Sequence, residues 1–373
     1  MKIEPFLLER FFARHEFSVQ HLLCASDCET ITVGELLAME PGSAEAFGSL
    51  RLGYTETAGD PDLRQEIASL YTGISADDIL VFAGAEEAIF IFMNALLKAG
   101  DHLLVHSPCY QSLAAIATAA GCRVGLWETA AENGWAPDTE RLPRMINAAT
   151  RALVVNFPHN PTGFLPPRAD FLRIVDLART HGLLLFSDEV YRFLEYDAGD
   201  RLPAACEVYE NGVSLGVMSK AFGLAGLRLG WVACRNHEVL REMVELKDYT
   251  TICVAAPSEF LARLALRRRD GILARNLGII RANLQRLDEF FAGHERLFFW
   301  RRPHAGPVAF PAVRFAGASD DFCAGLLREH GVLLAPGSLF GAAARHFRIG
   351  FGRRDLEPGL EKLSRHLEQM PRG

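Results

Sequence analysis

The stretch VMSKAFGLAGLRLGW, residues 217–231, sets a lysine inside an apolar run that is interrupted by glycines. Residues 213–218 and 229–234 are short apolar segments of the kind that form buried strands, and the glycines between them indicate a tight connection. Lys220 therefore stands at the end of a predicted strand, partly shielded from water. A lysine seen alone more often buries its methylene groups and keeps its ammonium in water, so its surroundings decide the interpretation.

Partial burial gives Lys220 a specific chemical capacity. Desolvation lowers the pKa of an amine, and a neutral amine can attack a carbonyl carbon to form a Schiff base. Arg228 follows eight residues later and adds a permanent positive charge to the same connection. Two neighbouring cations favour an anion between them, and a phosphate group suits that position. The stretch is thus typical of a Schiff-base lysine beside a phosphate.

Composition places the chain among ordinary enzymes. Its 373 residues are 49% hydrophobic, enough for one large α/β domain with a smaller one, or for two domains of similar size. The net charge of −7 argues against nucleic acid as the main partner, and we interpret residues 267–269 as a solvated helix end. No apolar stretch has the length of a membrane span, and the N-terminal run lacks the features of a signal peptide. We expect a cytoplasmic protein.

The cysteines and histidines do not have the spacing of a metal site. The closest pair among the eight cysteines, Cys24 and Cys28, has no further ligand candidates nearby, and we interpret the cysteines as reduced core thiols. His102 and His106 are spaced to share one face of a predicted strand, where a structural role is favoured over a metal. We expect no metal in the functional site.

Strands and helices alternate through much of the chain. The alternation predicts an α/β fold with a mostly parallel sheet sandwiched by helices. The predicted strands in this part are residues 79–82, 103–105, 123–127, 153–156 and 183–187, and the predicted helices are 85–98, 111–120 and 169–181.

The pattern becomes mainly helical after residue 236 and mixed after residue 298. The last part combines a predicted strand over residues 308–315 with helices over 320–330 and 356–370. We predict a large domain over residues 45–285. Residues 1–44 and 286–373 would together form a smaller α+β domain.

Four segments follow predicted strands, where the chemistry of open parallel sheets collects. Each has a plain structural interpretation when taken alone, as a turn, a strand-to-helix connection or a helix cap. The first also opens a helix, whose free backbone N–H groups suit a phosphate. The four segments are AGAE (83–86), FPHNPTG (157–163), DEVY (188–191) and the lysine-containing stretch (217–231).

The ordered set of NPTG, SDEVY and SK, with an arginine eight residues after the lysine, resembles the class I/II aminotransferases. The resemblance extends from Tyr54 to Arg348 and is more specific than any one motif. It implies the PLP-transferase fold type I and the cofactor pyridoxal 5′-phosphate (PLP). It also implies a transaminase that moves the amino group of an L-amino acid to a 2-oxo acid, through a Schiff base on Lys220 and a quinonoid intermediate.

The resemblance implies that Lys220, Asp188 and Tyr191 are catalytic. Lys220 would hold PLP and carry a proton between the substrate carbon and the cofactor carbon. Asp188 would keep the pyridine nitrogen protonated, which makes the ring an electron sink. Tyr191 and Asn160 would hydrogen-bond the phenolic oxygen of the ring, and Tyr110 would stack on the ring face.

The resemblance further implies a phosphate site and a carboxylate site. Tyr54 would reach the phosphate of the neighbouring subunit, so that the enzyme would be a homodimer with shared active sites. Arg348, with Asn160 beside it, would bind the substrate α-carboxylate through the paired donors of its guanidinium. The phosphate ligands within one chain would be the backbone of Gly84, Ala85 and Glu86, the Ser219 hydroxyl and the Arg228 guanidinium.

Two features depart from the family pattern. Val217 stands where many relatives have a hydroxyl that binds phosphate, and residues 17–37 lack the Gly-x-Pro-Asp type of pattern. A narrower resemblance is to the capreomycidine synthases, PLP enzymes that cyclise a hydroxylated arginine by β-elimination and re-addition. It is carried by the N-terminal run and by residues 156–160, 248–249 and 348–351.

Three functions therefore remain open. The first is the transaminase, and the second is a PLP-dependent lyase or cyclase acting on a β-substituted amino acid. For the second, Glu56 and Asp27 are candidate partners for a guanidinium group. The third, a non-catalytic module that binds an effector, is disfavoured because the lysine, the aspartate, the tyrosine, the asparagine and both arginines of the family pattern are present.

Overall fold

The computed structural model describes residues 2–341 and 345–370. The helices in these ranges are α1 (Leu7–His15), α2 (Val33–Leu37), α3 (Ser43–Gly48), α4 (Pro61–Ala68), α5 (Ala85–Ala95), α6 (Ser112–Ala119), α7 (Leu142–Met145), α8 (Arg168–Thr180), α9 (Ala205–Val208), α10 (His237–Lys247), α11 (Ala256–Arg267), α12 (Arg269–Gly293), α13 (Ser319–His330) and α14 (Leu356–Gln369). The strands are β1 (His21–Leu22), β2 (Ile79–Phe82), β3 (His102–Ser107), β4 (Arg123–Glu128), β5 (Thr150–Asn156), β6 (Leu184–Asp188), β7 (Gly212–Val217), β8 (Gly230–Ala233), β9 (Phe298–Phe299), β10 (Val308–Ala309), β11 (Ala312–Val313), β12 (Val332–Leu333), β13 (Ala335–Pro336) and β14 (Phe347–Gly350).

The largest sheet has seven strands in the order β2-β8-β7-β6-β5-β3-β4. The pairs from β7 through β6, β5 and β3 to β4 are all parallel, whereas β8 runs antiparallel to both of its neighbours. The sheet is therefore mostly parallel, and the predicted fold class is confirmed. It also brings the carboxyl ends of β5, β6 and β7 side by side at one edge.

Helices cover both faces of this sheet because its central strands are apolar on both sides. On one face, Val154 of β5 and Phe186 of β6 pack in one cluster with Phe92 of α5, whose ring centroid lies 4.5 Å from that of Phe186. On the other face, Leu153 packs in a cluster with Ile174 of α8. Burial on both sides explains why the sequences of these strands are continuous apolar runs.

Most predicted elements appear with shifted ends, but the strand predicted over residues 308–315 is wrong. The chain there forms two short strands in different sheets: β10 pairs with β14, and β11 pairs with β9. Pro311 lies between them and has no N–H to donate to a strand ladder, which separates the two pairings. Helix α5 likewise ends at Ala95 instead of continuing to residue 98.

Segments from the two ends of the chain pair with each other. Strand β1 pairs in parallel with β12, and the backbone N–H of Gly350 donates a 2.7 Å hydrogen bond to the carbonyl of Leu23. The division into domains stays a prediction, and the second predicted domain includes residues 342–344 and 371–373, outside the described residues. No helix in the described ranges is long and apolar enough to cross a membrane.

Candidate active site

The site is built at the sheet edge where β5 and β6 end. Asn156 closes β5, and its amide Nδ2 donates a 2.9 Å hydrogen bond to the backbone carbonyl of Asp188, the last residue of β6. The Oδ1 atom of Asn156 accepts a 2.7 Å hydrogen bond from the backbone N–H of Asn160. One buried asparagine thus ties the NPTG turn to the strand end that carries Asp188, which fixes both predicted side chains relative to the sheet.

A cavity of about 490 Å³ lies over this edge. Eight of the predicted site residues line it, and helix α1 with the segment after β1 closes it from outside. The lining includes Ala85, Glu86, Tyr110, Asn160, Asp188, Ser219, Lys220 and Arg228 from the prediction, together with Glu9, Phe12, Glu16, Ser26, Asp27, Val217 and Arg353. The structure therefore gathers residues that are far apart in sequence around one space.

Lys220 follows β7 and points its amine into the cavity. Its Nζ donates a 2.8 Å hydrogen bond to the Oγ of Ser26. Burial lowers the pKa of Lys220, Asp27 opposes that shift, and the positive charge of Arg348 adds to it. A lowered amine pKa increases the fraction of the neutral, nucleophilic form, as the sequence predicts.

Asp188 is a buried carboxyl group without a cationic hydrogen-bond partner in the described residues. Burial raises its pKa to about 7, while a hydrogen bond from the backbone N–H of Val190 and the charge of Lys220 lower it. That N–H lies 3.2 Å from Oδ1. A protonated ring nitrogen beside this group would supply the missing positive charge, so the position fits the role implied for Asp188.

The start of α5 and the Arg228 side chain together form a cradle for an anion. Gly84 precedes the helix with φ 92° and ψ 170°, a conformation open to glycine but hardly to other residues. A Cβ on Gly84 would lie 2.6 Å from Nη2 of Arg228, so the guanidinium lies directly against this backbone. The first-turn N–H groups of Ala85 and Glu86 have no carbonyl partner within the helix. This donor set fits a phosphate.

The departure noted in the sequence lies beside the cradle, because Val217 pairs with Gly230, which packs against Gly84 and Ala85. Val217 lines the cavity with an apolar side chain where many family members have a hydroxyl, whereas the Ser219 residue lines it with a hydroxyl. Glu86 also faces the cavity, and burial raises its pKa to about 7, while a hydrogen bond from Ser112 lowers it. The raised pKa limits the negative charge of Glu86 near an anion at neutral pH.

Tyr191 and Tyr110 are placed differently. Tyr191 is fully buried, and its hydroxyl makes no hydrogen bond of ordinary geometry within the described residues. The Ser26 hydroxyl lies beside it, and the buried Tyr191 hydroxyl keeps the capacity to donate to the phenolic oxygen that the resemblance assigns to it. Tyr110 lines the cavity, and its hydroxyl donates a 2.9 Å hydrogen bond to Oε1 of Glu9. Its ring is therefore held against α1.

Arg348 does not line the cavity itself but contacts Asn160, which does. Its side chain is 1% exposed, and its Nη1 donates a 3.1 Å hydrogen bond to Oδ1 of Asn160, while Nη2 donates 2.7 Å to the carbonyl of Cys24. The guanidinium carbon lies 5.8 Å from the ring centroid of Phe12 and 5.1 Å from that of Phe340. These contacts hold a planar cation in one orientation, as a carboxylate ligand requires.

The residues expected to bind a guanidinium are already engaged. Both carboxylate oxygens of Asp27 accept hydrogen bonds from Arg353, at 2.9 and 2.8 Å. Glu56 is not among the residues that line the cavity and lies 3.6 Å from Arg64. Glu16 fits better, because it lines the cavity and its carboxylate makes no hydrogen bond or ion pair with the described residues.

Sequence reasoning missed the wall formed by α1. Glu9, Phe12 and Glu16 all line the cavity, with spacings of three and four residues that place them on one helical face. The sequence signal that could have indicated this wall is the pair of acidic residues on the same helical face as apolar ones. Ser26 and Arg353 gave no comparable signal, because their partners lie hundreds of residues away in the chain.

The family model for aminotransferase class I and II matches residues 21–363. The chain belongs to this family. A PLP-dependent aminotransferase of Streptococcus suis 89-1591 has a similar structure, with a TM-score of 0.94, 34% identity and full coverage of both chains. The PLP-dependent cyclase OrfR is also similar, with a TM-score of 0.90 and 31% identity over 99% of this chain and 98% of its own.

Among relatives by sequence, capreomycidine synthase of Streptomyces vinaceus is 33% identical over 100% of this chain and 94% of its own. Both resemblances stated from the sequence are thereby confirmed. The protein is a PLP-dependent enzyme of fold type I, like its relatives. The roles of the individual residues stay predictions.

Proposed function

We propose that the protein is an aminotransferase that moves the amino group of an L-amino acid to a 2-oxo acid. One observation carries the proposal: Lys220, with its lowered pKa, shares a cavity with the buried carboxyl group of Asp188 and with Asn160, the partner of Arg348. This arrangement supports the roles proposed here: Lys220 as a base, Asp188 as the partner of a ring nitrogen, and Arg348, behind Asn160, as the cation for a carboxylate.

The work of the chain follows from these positions. Bound PLP supplies an electron sink for the bonds at the substrate α-carbon. Arg348 and Asn160 would orient the substrate through its carboxylate. The Nζ of Lys220 would take up the proton of the α-carbon and hold it until it is donated to the cofactor carbon. Asp188 balances the charge of the ring nitrogen. Helix α1 contributes Glu9 and Phe12 to the wall of the same cavity.

The test is the visible spectrum of the PLP-loaded protein mixed with single L-amino acids and no 2-oxo acid. A transaminase converts the lysine-bound band to that of pyridoxamine phosphate and releases one 2-oxo acid per site. Lys220→Ala serves as the control and should show neither change. An amino acid that is consumed while the original band returns would exclude transamination of that amino acid.

A second candidate is a PLP-dependent lyase or cyclase acting on a β-substituted amino acid. Its support is the carboxylate of Glu16, which faces the cavity without a hydrogen-bond partner in the described residues and suits a cationic side chain. The likeness to capreomycidine synthase and to the cyclase OrfR points in the same direction.

The two candidates differ in their products. A β-hydroxylated L-arginine incubated with the PLP-loaded protein would yield a cyclised or eliminated amino acid and no pyridoxamine phosphate if the second candidate is right. Mass spectrometry of the product and the final absorption band distinguish the outcomes. Glu16→Gln should weaken the reaction of the arginine derivative more than that of the matching citrulline derivative, which has no charge on its side chain.

We further propose a homodimer in the cytoplasm. Tyr54 is 91% exposed and does not line the cavity of its own chain, which is consistent with a role at the phosphate of a neighbouring subunit. The eight cysteines are free, as a reducing compartment favours. Sedimentation velocity tests the dimer, and Tyr54→Phe should weaken PLP binding without changing the sedimentation coefficient.

A further inference from the structure

Three potential metal ligands meet between two helices of the C-terminal part. Glu329 and His330 end α13, and His366 lies in α14. Each offers one ligand atom, and these atoms all lie within 4.8 Å of one another. The Nδ1 atom of His366 is 3.2 Å from Oε2 of Glu329. None of the three residues lines the cavity that contains Lys220.

His366 is a buried side chain whose Nδ1 faces the carboxylate of Glu329. It is 8% exposed, and its Nδ1 lies 3.2 Å from Oε2 of Glu329, with no other partner in the described residues. A buried imidazole nitrogen and a carboxylate oxygen thus already lie side by side, as two ligands of one metal ion would.

His330 offers a second imidazole at the same place. Its Nε2 is buried and has no hydrogen-bond partner in the described ranges. The rings of His330 and His366 meet edge to face, with centroids 5.3 Å apart. The buried Nε2 of His330 loses its hydrogen bond to water on folding, and a metal ion bound there would recover that loss.

Glu329 supplies the negative charge. Its Oε1 accepts a 2.7 Å hydrogen bond from Arg328, which leaves Oε2 on the side of His366. The Arg328 side chain is 70% exposed, so it can move away from an arriving cation. Glu329 and His330 also occupy the last turn of α13, where the helix dipole favours positive charge.

We propose that Glu329, His330 and His366 bind one divalent transition-metal ion of the Zn²⁺ class. Two imidazole nitrogens and one carboxylate oxygen form a donor set that such ions accept, with water completing the coordination. The ion would link the end of α13 to α14. Because the ligands lie outside the Lys220 cavity, the site is structural and independent of the proposed reaction.

The test is calorimetric titration of the PLP-loaded protein with ZnCl₂ in a buffer that does not bind zinc. We expect one Zn²⁺ per chain from this site. Loss of the carboxylate in Glu329→Gln should weaken binding by at least about tenfold, as loss of even an indirect partner does in metal sites. Glu361→Gln changes an exposed acid of the same helix α14 and should bind as the wild type does.

Thermal unfolding provides a second measurement with a second variant. ZnCl₂ should raise the Tm of the wild type and of Glu361→Gln, but not that of His330→Asn, since an ion that binds only the folded state stabilises it. The proposal is overturned if the wild type takes up no zinc. It is equally overturned if Glu329→Gln and His330→Asn bind zinc as tightly as the wild type.

Discussion

The Nζ of Lys220 donates a 2.8 Å hydrogen bond to the Oγ of Ser26, a residue 194 positions earlier in the chain. Lys220 follows a strand of the large sheet, whereas Ser26 belongs to the segment after β1. The reactive amine is thus positioned from both sides of the cavity. A substitution in the N-terminal segment can therefore change the position of the Lys220 amine without altering the sheet.

Lys220→Ala should abolish the lysine-bound absorption band and lower turnover by at least about a hundredfold, since a positioned acid–base group contributes about 10²–10⁴ in rate. The measurement is the visible spectrum together with single-turnover kinetics. Lys98→Ala, at an exposed lysine, is the matched control and should behave as the wild type. A normal band in Lys220→Ala would show that another amine holds the cofactor.

Ser26→Ala should lower kcat/KM by about fivefold, because it removes one hydrogen bond worth about 1 kcal/mol from the amine of Lys220. The cofactor content should stay at the wild-type level, since Ser26 is not part of the phosphate cradle. Steady-state kinetics and the absorbance ratio at the cofactor band measure the two effects. If kcat/KM is unchanged, Ser26 does not position the lysine during the reaction.

Asp188→Asn should change how the stability of the PLP-free protein depends on pH. Burial raises the pKa of Asp188 to about 7, above the value of about 4 that is usual for an aspartate, so the folded state holds a proton that the unfolded state releases. Stability attributed to this group therefore falls as pH rises from about 4 to about 7 and then levels off. In Asp188→Asn the neutral asparagine does not titrate, so this decrease in stability with rising pH is absent.

The expected result is that the Tm of PLP-free Asp188→Asn exceeds that of the wild type by more at pH 8 than at pH 5. Adding PLP should raise the Tm of the wild type more than that of the variant, because only the carboxylate balances a protonated ring nitrogen. An equal difference at both pH values would mean that Asp188 ionises normally in the folded protein.

Gly84→Ala should weaken PLP binding and lower the Tm. Its φ of 92° is strained for alanine by about 1–3 kcal/mol, and the added Cβ would lie 2.6 Å from Nη2 of Arg228. Gly226→Ala is the control, because a Cβ there meets nothing within 4 Å. Fluorescence titration with PLP and thermal unfolding report the two effects. Similar PLP affinity in both variants would contradict the cradle.

Arg348→Lys should raise KM with little change in kcat. Lysine cannot keep both the contact to Asn160 and the contact to the Cys24 carbonyl. The loss of one charged hydrogen bond costs about 1.5–3 kcal/mol, which corresponds to a rise in KM of about tenfold to hundredfold. Arg365→Lys at an exposed position is the control. A fall in kcat alone would place Arg348 outside carboxylate binding.

The sheet was predictable because its strands are short apolar runs that alternate with helices, and local pattern decides such elements. The strand over residues 308–315 failed for the opposite reason: β10 and β11 are chosen by partners in different parts of the chain, which no local pattern contains. The antiparallel direction of β8 is likewise set by its connection and not by its composition.

The sheet edge of the site was predictable because Asp188, Asn160 and Lys220 each follow a strand. The outer wall was not, because Glu16 and Ser26 enter the site only through the packing of α1 and the segment after β1 on the sheet. The pairing of Asp27 with Arg353, which removes Asp27 as a free carboxylate, depends on residues 326 positions apart.

The α1 wall also bears on how members of such a family diverge. Glu9 lies in α1 and Glu16 directly follows that helix, whereas Asp188 ends a strand of the large sheet and Lys220 follows another. Natural selection can therefore exchange the side chains that meet the variable part of a substrate while the reacting centre keeps its form. A chimera in which residues 7–16 are replaced by those of a relative should therefore show the substrate preference of that relative.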